Sequence, residues 1–196
     1  AIYEDFGFDA IKIGLIPSVE IAIGIRNYID NLNLKNIPIV VDPVYVSSSG
    51  FKFLKLSEYI RVYEILSPLA TLLTPNILEL QILSGNRVLC IEDVFKSIEE
   101  ILKKNKISIF VKGSHLEGTT IRDILYDKKK IIEYKSRRIK NKNTHGTGCT
   151  IASAITFYLA KGYNRNEAIK KSRKYILKIL KKKSLGGIDN NGPLSH

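Results

Sequence analysis

The chain has 196 residues, 44% of them hydrophobic and 26% charged, which suffices for one domain with a sizeable core and excludes a disordered or collagen-like chain. Its longest apolar runs, residues 37–41 and 69–73, fall far short of the roughly 20 residues that cross a bilayer, so a soluble protein without a membrane partner is expected. The formal net charge of +12 comes mostly from Lys scattered among abundant Ile and Asn; with no interleaved aromatics, this speaks for compositional drift and against a nucleic-acid surface.

Cys90 and Cys149 form no CxxC and no ligand spacing with the three histidines, and no signal peptide is visible, so a reducing cytoplasm is expected. The sequence contains no Met and starts at Ala1 in an amphipathic-looking segment. We expect a processed N-terminus or the later part of a longer protein.

Short β-like runs alternate with helical periodicity, the pattern of βα units on a mostly parallel sheet. Residues 10–16 read as a buried strand, and Pro17-Ser18 opens a helix to about Leu32 with Val19, Ile23 and Ile25 as its apolar positions. A second buried strand, 37–41, ends in Asp42-Pro43-Val44 and is followed by a loop containing Ser47-Ser48-Ser49-Gly50. Residues 56–66 have helical spacing (Leu56, Tyr59, Ile60, Tyr63), and 71–73 is a short strand ending in Thr74-Pro75-Asn76. Asn76 can cap a helix to about Leu83 that Ser84-Gly85 stops. Asp93 can cap the next helix, whose stripe is Val94, Phe95, Ile98, Ile101 and Leu102.

Another buried strand, 107–111, leads into Lys112-Gly113. Residues 122–126 and 131–134 read as a hairpin with a solvated turn at 127–130. The run Asn143-Thr144-His145-Gly146-Thr147-Gly148-Cys149 then enters an apolar helix that begins near Gly148 and carries Ile151, Ile155, Tyr158 and Leu159. A last helix covers about 166–183, with Ala168, Ser172, Tyr175, Ile176 and Ile179 inward. Its C-terminal lysines suit the helix dipole and need no ligand.

The sharpest motif is Gly146-Thr147-Gly148-Cys149 at a helix start. Two glycines let backbone approach a ligand closely, and the first helical turn leaves N–H groups unpaired, which together with the dipole makes an anion hole. Cys149 in that turn has two readings: a thiolate favoured by the dipole and nearby cations, acting as base or nucleophile, or a small buried residue behind the glycines. Asp42, Asn76 with Glu79, and Lys112 all follow strand C-terminal ends, the edge where open α/β sheets place ligands. Asn76 and Glu79, three apart on one helix face, either hold a hydrated Mg²⁺ or form a capping box. Lys112 either neutralises phosphate or snorkels. Convergence on one edge favours the functional alternatives.

These residues together resemble the hydroxymethylpyrimidine/phosphomethylpyrimidine kinases of thiamine biosynthesis, of the ribokinase-like fold. The matching segments are DAIKIGLI, VVDPV with SSSG, LLTPNILELQILSG, IFVKGSHL, RIKNKNTHGTGCTIASAITFYLAKG and the terminal GPLSH, in order from Asp9 to His196. The resemblance implies a three-layer α/β/α domain over residues 1–196 with a mostly parallel sheet, lacking the first strand, helix and β flap and hence an acceptor-side glycine loop. It implies ATP-dependent phosphorylation of 4-amino-5-hydroxymethyl-2-methylpyrimidine and then of its monophosphate, with Mg²⁺.

By the same resemblance, Gly146, Thr147 and Gly148 form the anion hole, and Cys149 occupies the place of the catalytic base. Lys112, Asn76 and Thr147 contact the nucleotide; Asn76 and Glu79 position Mg²⁺ and its waters. Asp42 lies near the metal and phosphates. Val44 and Leu15 line the pyrimidine, with Leu15 where the family usually has Met, a swap that keeps apolar volume. The partner is a small-molecule pyrimidine, and a homodimer is compatible with the resemblance. The alternatives are a pyridoxine/pyridoxal kinase of the same fold, a non-catalytic truncated remnant, and a basic polyanion-binding module, for which no aromatic platform or helix-turn-helix signature is seen.

Overall fold

The computed structural model describes residues 2–32, 34, 36–47, 50–113, 120–139 and 146–181. The expectations placed on 48–49, 114–116, 143–145, 182–183 and the terminal GPLSH lie outside them. In chain order the elements are α1 (Ile2–Phe6), β1 (Ile11–Ile13), α2 (Val19–Asn31), β2 (Ile39–Val41), α3 (Leu56–Leu66), β3 (Leu72–Leu73), α4 (Ile77–Ser84), α5 (Ile91–Lys104), β4 (Ser108–Val111), β5 (Thr120–Asp127), β6 (Lys130–Arg137), α6 (Thr147–Ala160) and α7 (Arg165–Lys181), with a 3₁₀ turn (Ser67–Leu69) after α3.

The six strands form one sheet in the order β1-β2-β3-β4-β5-β6. The first four are parallel, and β5 and β6 add an antiparallel hairpin. Successive strand side chains point to opposite faces, so each strand feeds two cores. Ile39, Val41, Leu73, Ile109, Val111 and Ile124 pack with residues of α2 to α5, including Ala22, Tyr59, Tyr63, Leu80 and Ile98. Val40, Leu72, Phe110 and Leu125 pack with α6 and α7 through Ile151, Ile155, Ala168 and Ile176. A strand sandwiched this way must be apolar at every position, which is why β2, β3 and β4 read as unbroken hydrophobic runs. The sheet therefore lies between two helical layers, as expected.

Local signals set most boundaries. The Ser18 side chain caps α2 by accepting from Ile21 N at 3.3 Å, and Gly85, at φ +75°, closes α4 in the left-handed conformation. Four expectations need correction. In α2 the buried stripe runs through Ala22 and Ile29 with Val19 and Ile25 beside it, while Ile23 is exposed, because a 3.6-residue period carries it round to solvent. Leu56, read as an apolar position of α3, is likewise exposed, and Val62 and Leu66 join Tyr59 and Tyr63 inside.

The N-cap of α5 is Cys90, not Asp93; Asp93 stands three residues on and accepts from Cys90 N at 3.3 Å. The hairpin turn is the two residues Lys128 and Lys129, both with positive φ. Asp127 is accordingly in β5, where it accepts from Ser108 Oγ (2.7 Å) and Arg165 Nη1 (3.2 Å) rather than facing solvent alone.

Candidate active site

The parallel strands bring their C-terminal ends to one edge. Asp42 N donates to Ile13 O (2.8 Å), Thr74 N to Val41 O (3.0 Å) and Lys112 N to Pro75 O (2.8 Å), so the residues just past β2, β3 and β4 are held in line by an extension of the ladder. A parallel bridge between Asn76 and Lys112 continues it and sets the start of α4 beside Lys112.

Asn76 and Glu79 form a full capping box: Glu79 N donates to Asn76 Oδ1 (2.9 Å) and Asn76 N to Glu79 Oε2 (2.8 Å). The two readings of this pair are not exclusive, because the same Glu79 oxygen lies 3.9 Å from Lys112 Nζ. Asn76 Oδ1 spends one lone pair on the cap, so a ligand contact by Asn76 can use its second lone pair or Nδ2. Lys112 does not snorkel. It is buried, and its ammonium donates to Asp42 Oδ1 at 2.8 Å. Burial works against that charge, but the Asp42 and Glu79 carboxylates outweigh it and hold the lysine above its ordinary value.

Asp42 is fully buried. Thr74 Oγ1 and Lys112 meet its Oδ1, while Oδ2 has no hydrogen-bond partner among the described residues. A buried carboxylate oxygen left without a donor is costly unless something else satisfies it. Burial lifts the Glu79 carboxyl to about 7, with Asp42 adding to the rise and Lys112 and the Asn76 amide opposing it. Two carboxylates, one with a spare oxygen, fit a hydrated Mg²⁺, which takes few protein ligands and keeps waters and phosphate oxygens for the rest.

From the other helical layer comes the glycine turn. Gly146 sits at φ +77°, a left-handed conformation that disfavours any residue with a Cβ, and α6 begins at Thr147 rather than Gly148. Gly148 lies against Lys112: a Cβ there would be 3.4 Å from Nζ. The N-terminal end of α6 and the ammonium therefore meet at one place, where the helix dipole and the cation both favour an anion. Cys149 follows, exposed rather than packed behind the glycines.

The thiol's expected activation is not what the resting structure provides. Partial burial and the Asp42 carboxylate raise Cys149 above its ordinary value, against the opposing pull of Lys12 and Lys112. A cavity of about 530 Å³ opens beside this thiol along α6, lined by Thr150, Ser153, Phe157, Tyr158 and, from α7, Tyr175, with aromatic faces that can meet a planar ring.

Leu15 and Val44 lie at the same edge, just past β1 and β2; Leu15 is exposed and Val44 half-buried. Sequence reasoning overlooked Lys12 and Thr74. Lys12 pairs with Val40, so it stands on the sheet face that α6 covers, and its Nζ reaches to 2.9 Å from where a Cβ on Gly14 would be. A charged residue inside an apolar strand run was the signal for it. Tyr63 closes the floor, its hydroxyl donating to Asp42 O at 3.4 Å.

Residues 1–195 match the family model for phosphomethylpyrimidine kinase. The chain is similar to a thiamine biosynthesis bifunctional protein of Geobacter sulfurreducens, 34% identical over 197 residues; the match covers all of this chain, which spans only 39% of that protein's length. Among solved structures it is similar to a phosphomethylpyrimidine kinase from Clostridium difficile (TM-score 0.78, 37% identity, 92% of this chain and 72% of that one). It is also similar to a Bacillus subtilis pyridoxal kinase in an ADP complex (TM-score 0.83, 30% identity, 98% and 71%).

Proposed function

Because this chain belongs to the phosphomethylpyrimidine kinase family, we propose that it transfers the terminal phosphoryl group of ATP to the hydroxymethyl group of 4-amino-5-hydroxymethyl-2-methylpyrimidine, and then phosphorylates the monophosphate. The observation that carries the reading is the meeting of Lys112, Asp42, Glu79 and the α6 turn at one sheet edge, four groups from separate parts of the sequence. Phosphoryl transfer needs little covalent work from a protein; it needs positioning and stabilisation of the charge on the moving group.

The first-turn amides of α6 and the Lys112 ammonium take the oxygens of that group, in a site whose donors are fixed before the substrate arrives. Asp42 and Glu79 hold Mg²⁺, which when bound neutralises phosphate charge. Cys149 orients the acceptor hydroxyl and receives its proton. Accepting that proton requires the thiolate, which burial first and Asp42 second disfavour and which Lys12 and Lys112 favour. Leu15 and Val44 offer apolar contact to the pyrimidine.

The nucleotide-bound pyridoxal kinase likeness supports a second reading, phosphorylation of a vitamin B6 alcohol. Incubating the purified chain with ATP, Mg²⁺ and each alcohol in turn, and following phosphate esters by anion exchange, separates the two. Mono- and diphosphate from the pyrimidine alone is the expected result. Ester from the B6 alcohol alone supports the second reading, and no ester from either supports a non-catalytic role.

A further inference from the structure

We infer that Asp123 and Arg173 are positioning residues for Lys112: their buried ion pair fixes the Gly113 peptide and, through it, the place of the Lys112 ammonium between Asp42 and Glu79. The catalytic consequence rests on the kinase reading above; the geometry does not.

Asp123, in β5, is 7% exposed. Its Oδ1 accepts the Gly113 N–H at 2.8 Å, and its Oδ2 accepts from Arg173 Nε of α7, also at 2.8 Å. Arg173 Nη2 donates further to Tyr134 O (3.3 Å) and Ser136 Oγ (3.2 Å) on β6, and the guanidinium lies 5.3 Å from the centre of the Tyr134 ring. A buried ion pair is weak evidence for stability, since apolar residues of similar volume often serve as well. The arrangement instead clamps one peptide.

That peptide needs a clamp. The β4–β5 ladder ends at Val111 and Ile124, so on this side Gly113 is held by the Asp123 carboxylate rather than by a strand partner. The approach is so close that a Cβ on residue 113 would lie 1.5 Å from Arg122 O, which only glycine permits. On the other side Lys112 N is tied to Pro75 O at 2.8 Å. Lys112 is thus fixed from both sides, by Pro75 at its own amide and by Asp123 at the next. Its Nζ meets Asp42 Oδ1 at 2.8 Å and lies near Gly148. A displacement of about 1 Å at such a group is enough to cost on the order of 10²-fold in rate.

The test compares Asp123→Ala, which removes both bonds, with Asp123→Asn, which keeps an acceptor for the Gly113 amide. The first readout needs no kinase activity: the rate of Lys112 acylation by acetic anhydride, followed by peptide mass spectrometry, with exposed Lys103 as internal reference. In Asp123→Ala we expect acylation of Lys112 to rise about tenfold with Lys103 unchanged, the KM for ATP to rise about tenfold, and the KM for the pyrimidine to stay put, as displacement of one phosphate-binding group requires. Asp123→Asn, which keeps the Gly113 acceptor but sets its Nδ2 against the Arg173 donor, falls between the parent and Asp123→Ala, about threefold above the parent in Lys112 acylation and in the KM for ATP.

An unchanged Lys112 rate in Asp123→Ala, equal damage in both variants, or a parallel rise at every lysine overturns the inference. Should Asp123→Ala not fold, Arg173→Lys, which keeps the charge but loses the forked donation, is expected to raise Lys112 acylation about threefold; no rise there overturns it as well. Failure of the parent chain to phosphorylate the pyrimidine would instead remove the kinase reading and leave the acylation result to stand alone.

Discussion

Replacing Glu79 by Gln isolates what the site's burial does to stability. Glu79 is 3% exposed, and burial raises its carboxyl from 4.5 to about 7 in spite of Lys112. Between those two values the folded protein keeps a proton that the unfolded chain has released. The contribution to stability is therefore fully present below about pH 4.5 and is lost as pH rises through about 7. Integrated from pH 5 to 8.5, the loss is roughly 2–3 kcal/mol.

Gln cannot ionise, yet it keeps an oxygen for the Asn76 amide that Glu79 now accepts at 2.8 Å. Urea unfolding of both proteins in EDTA across that range, plotted as a difference, cancels the titrations of groups that do not interact with Glu79. The gap in favour of E79Q should widen by roughly 2–3 kcal/mol from pH 5 to 8.5. A difference that stays flat within about 0.5 kcal/mol, or that narrows, refutes the claim that Glu79 is held charged at the expense of stability. Turnover of E79Q should lie below the parent's by a margin that grows over the same range, because the carboxylate that costs stability is one proposed to hold Mg²⁺.

Cys149→Ala should lower turnover by roughly 10²–10⁴-fold if the thiol receives the acceptor proton; unchanged turnover in a steady-state assay would remove it from the reaction. Lys112→Met removes the ammonium that meets the buried Asp42 carboxylate and leaves it Thr74 Oγ1 as a neutral donor, and should cost about 3–5 kcal/mol in urea unfolding at neutral pH, as loss of one partner of a buried pair does. A cost under about 1 kcal/mol would mean that the pair is solvated. Gly146→Ala forces a Cβ into a left-handed conformation at φ +77° and should destabilise by about 1–2 kcal/mol, with weaker nucleotide binding by titration calorimetry; an unchanged midpoint would show that the turn is not strained.

Periodicity, caps and apolar runs are local properties, and they laid out most of this protein before any coordinates. The span of α3, the Asn76 cap, the Gly85 stop and the two-faced burial of β2 and β4 follow from residues at most a few positions apart. The motif residues of the site were legible for the same reason: each stands directly after a strand end or at a helix start. The α5 cap and the hairpin turn differ from the expectation because Asp93 serves from the third helical position, accepting from Cys90 N, and because four polar residues in a row, 127–130, offer equivalent turns.

Charge, by contrast, is decided in three dimensions. That Lys112 lies between Asp42 and Glu79, that Asp42 keeps one oxygen unsatisfied among the described residues, and that Cys149 is made less acidic than its helix position suggests all depend on groups 33 to 107 positions apart in sequence and on how much water the fold removes from between them. Lys12 and the Asp123–Arg173 clamp belong to that class too. Burial and Coulomb interaction act through space rather than along the chain, so a linear pattern can nominate a site's residues but cannot assign their protonation.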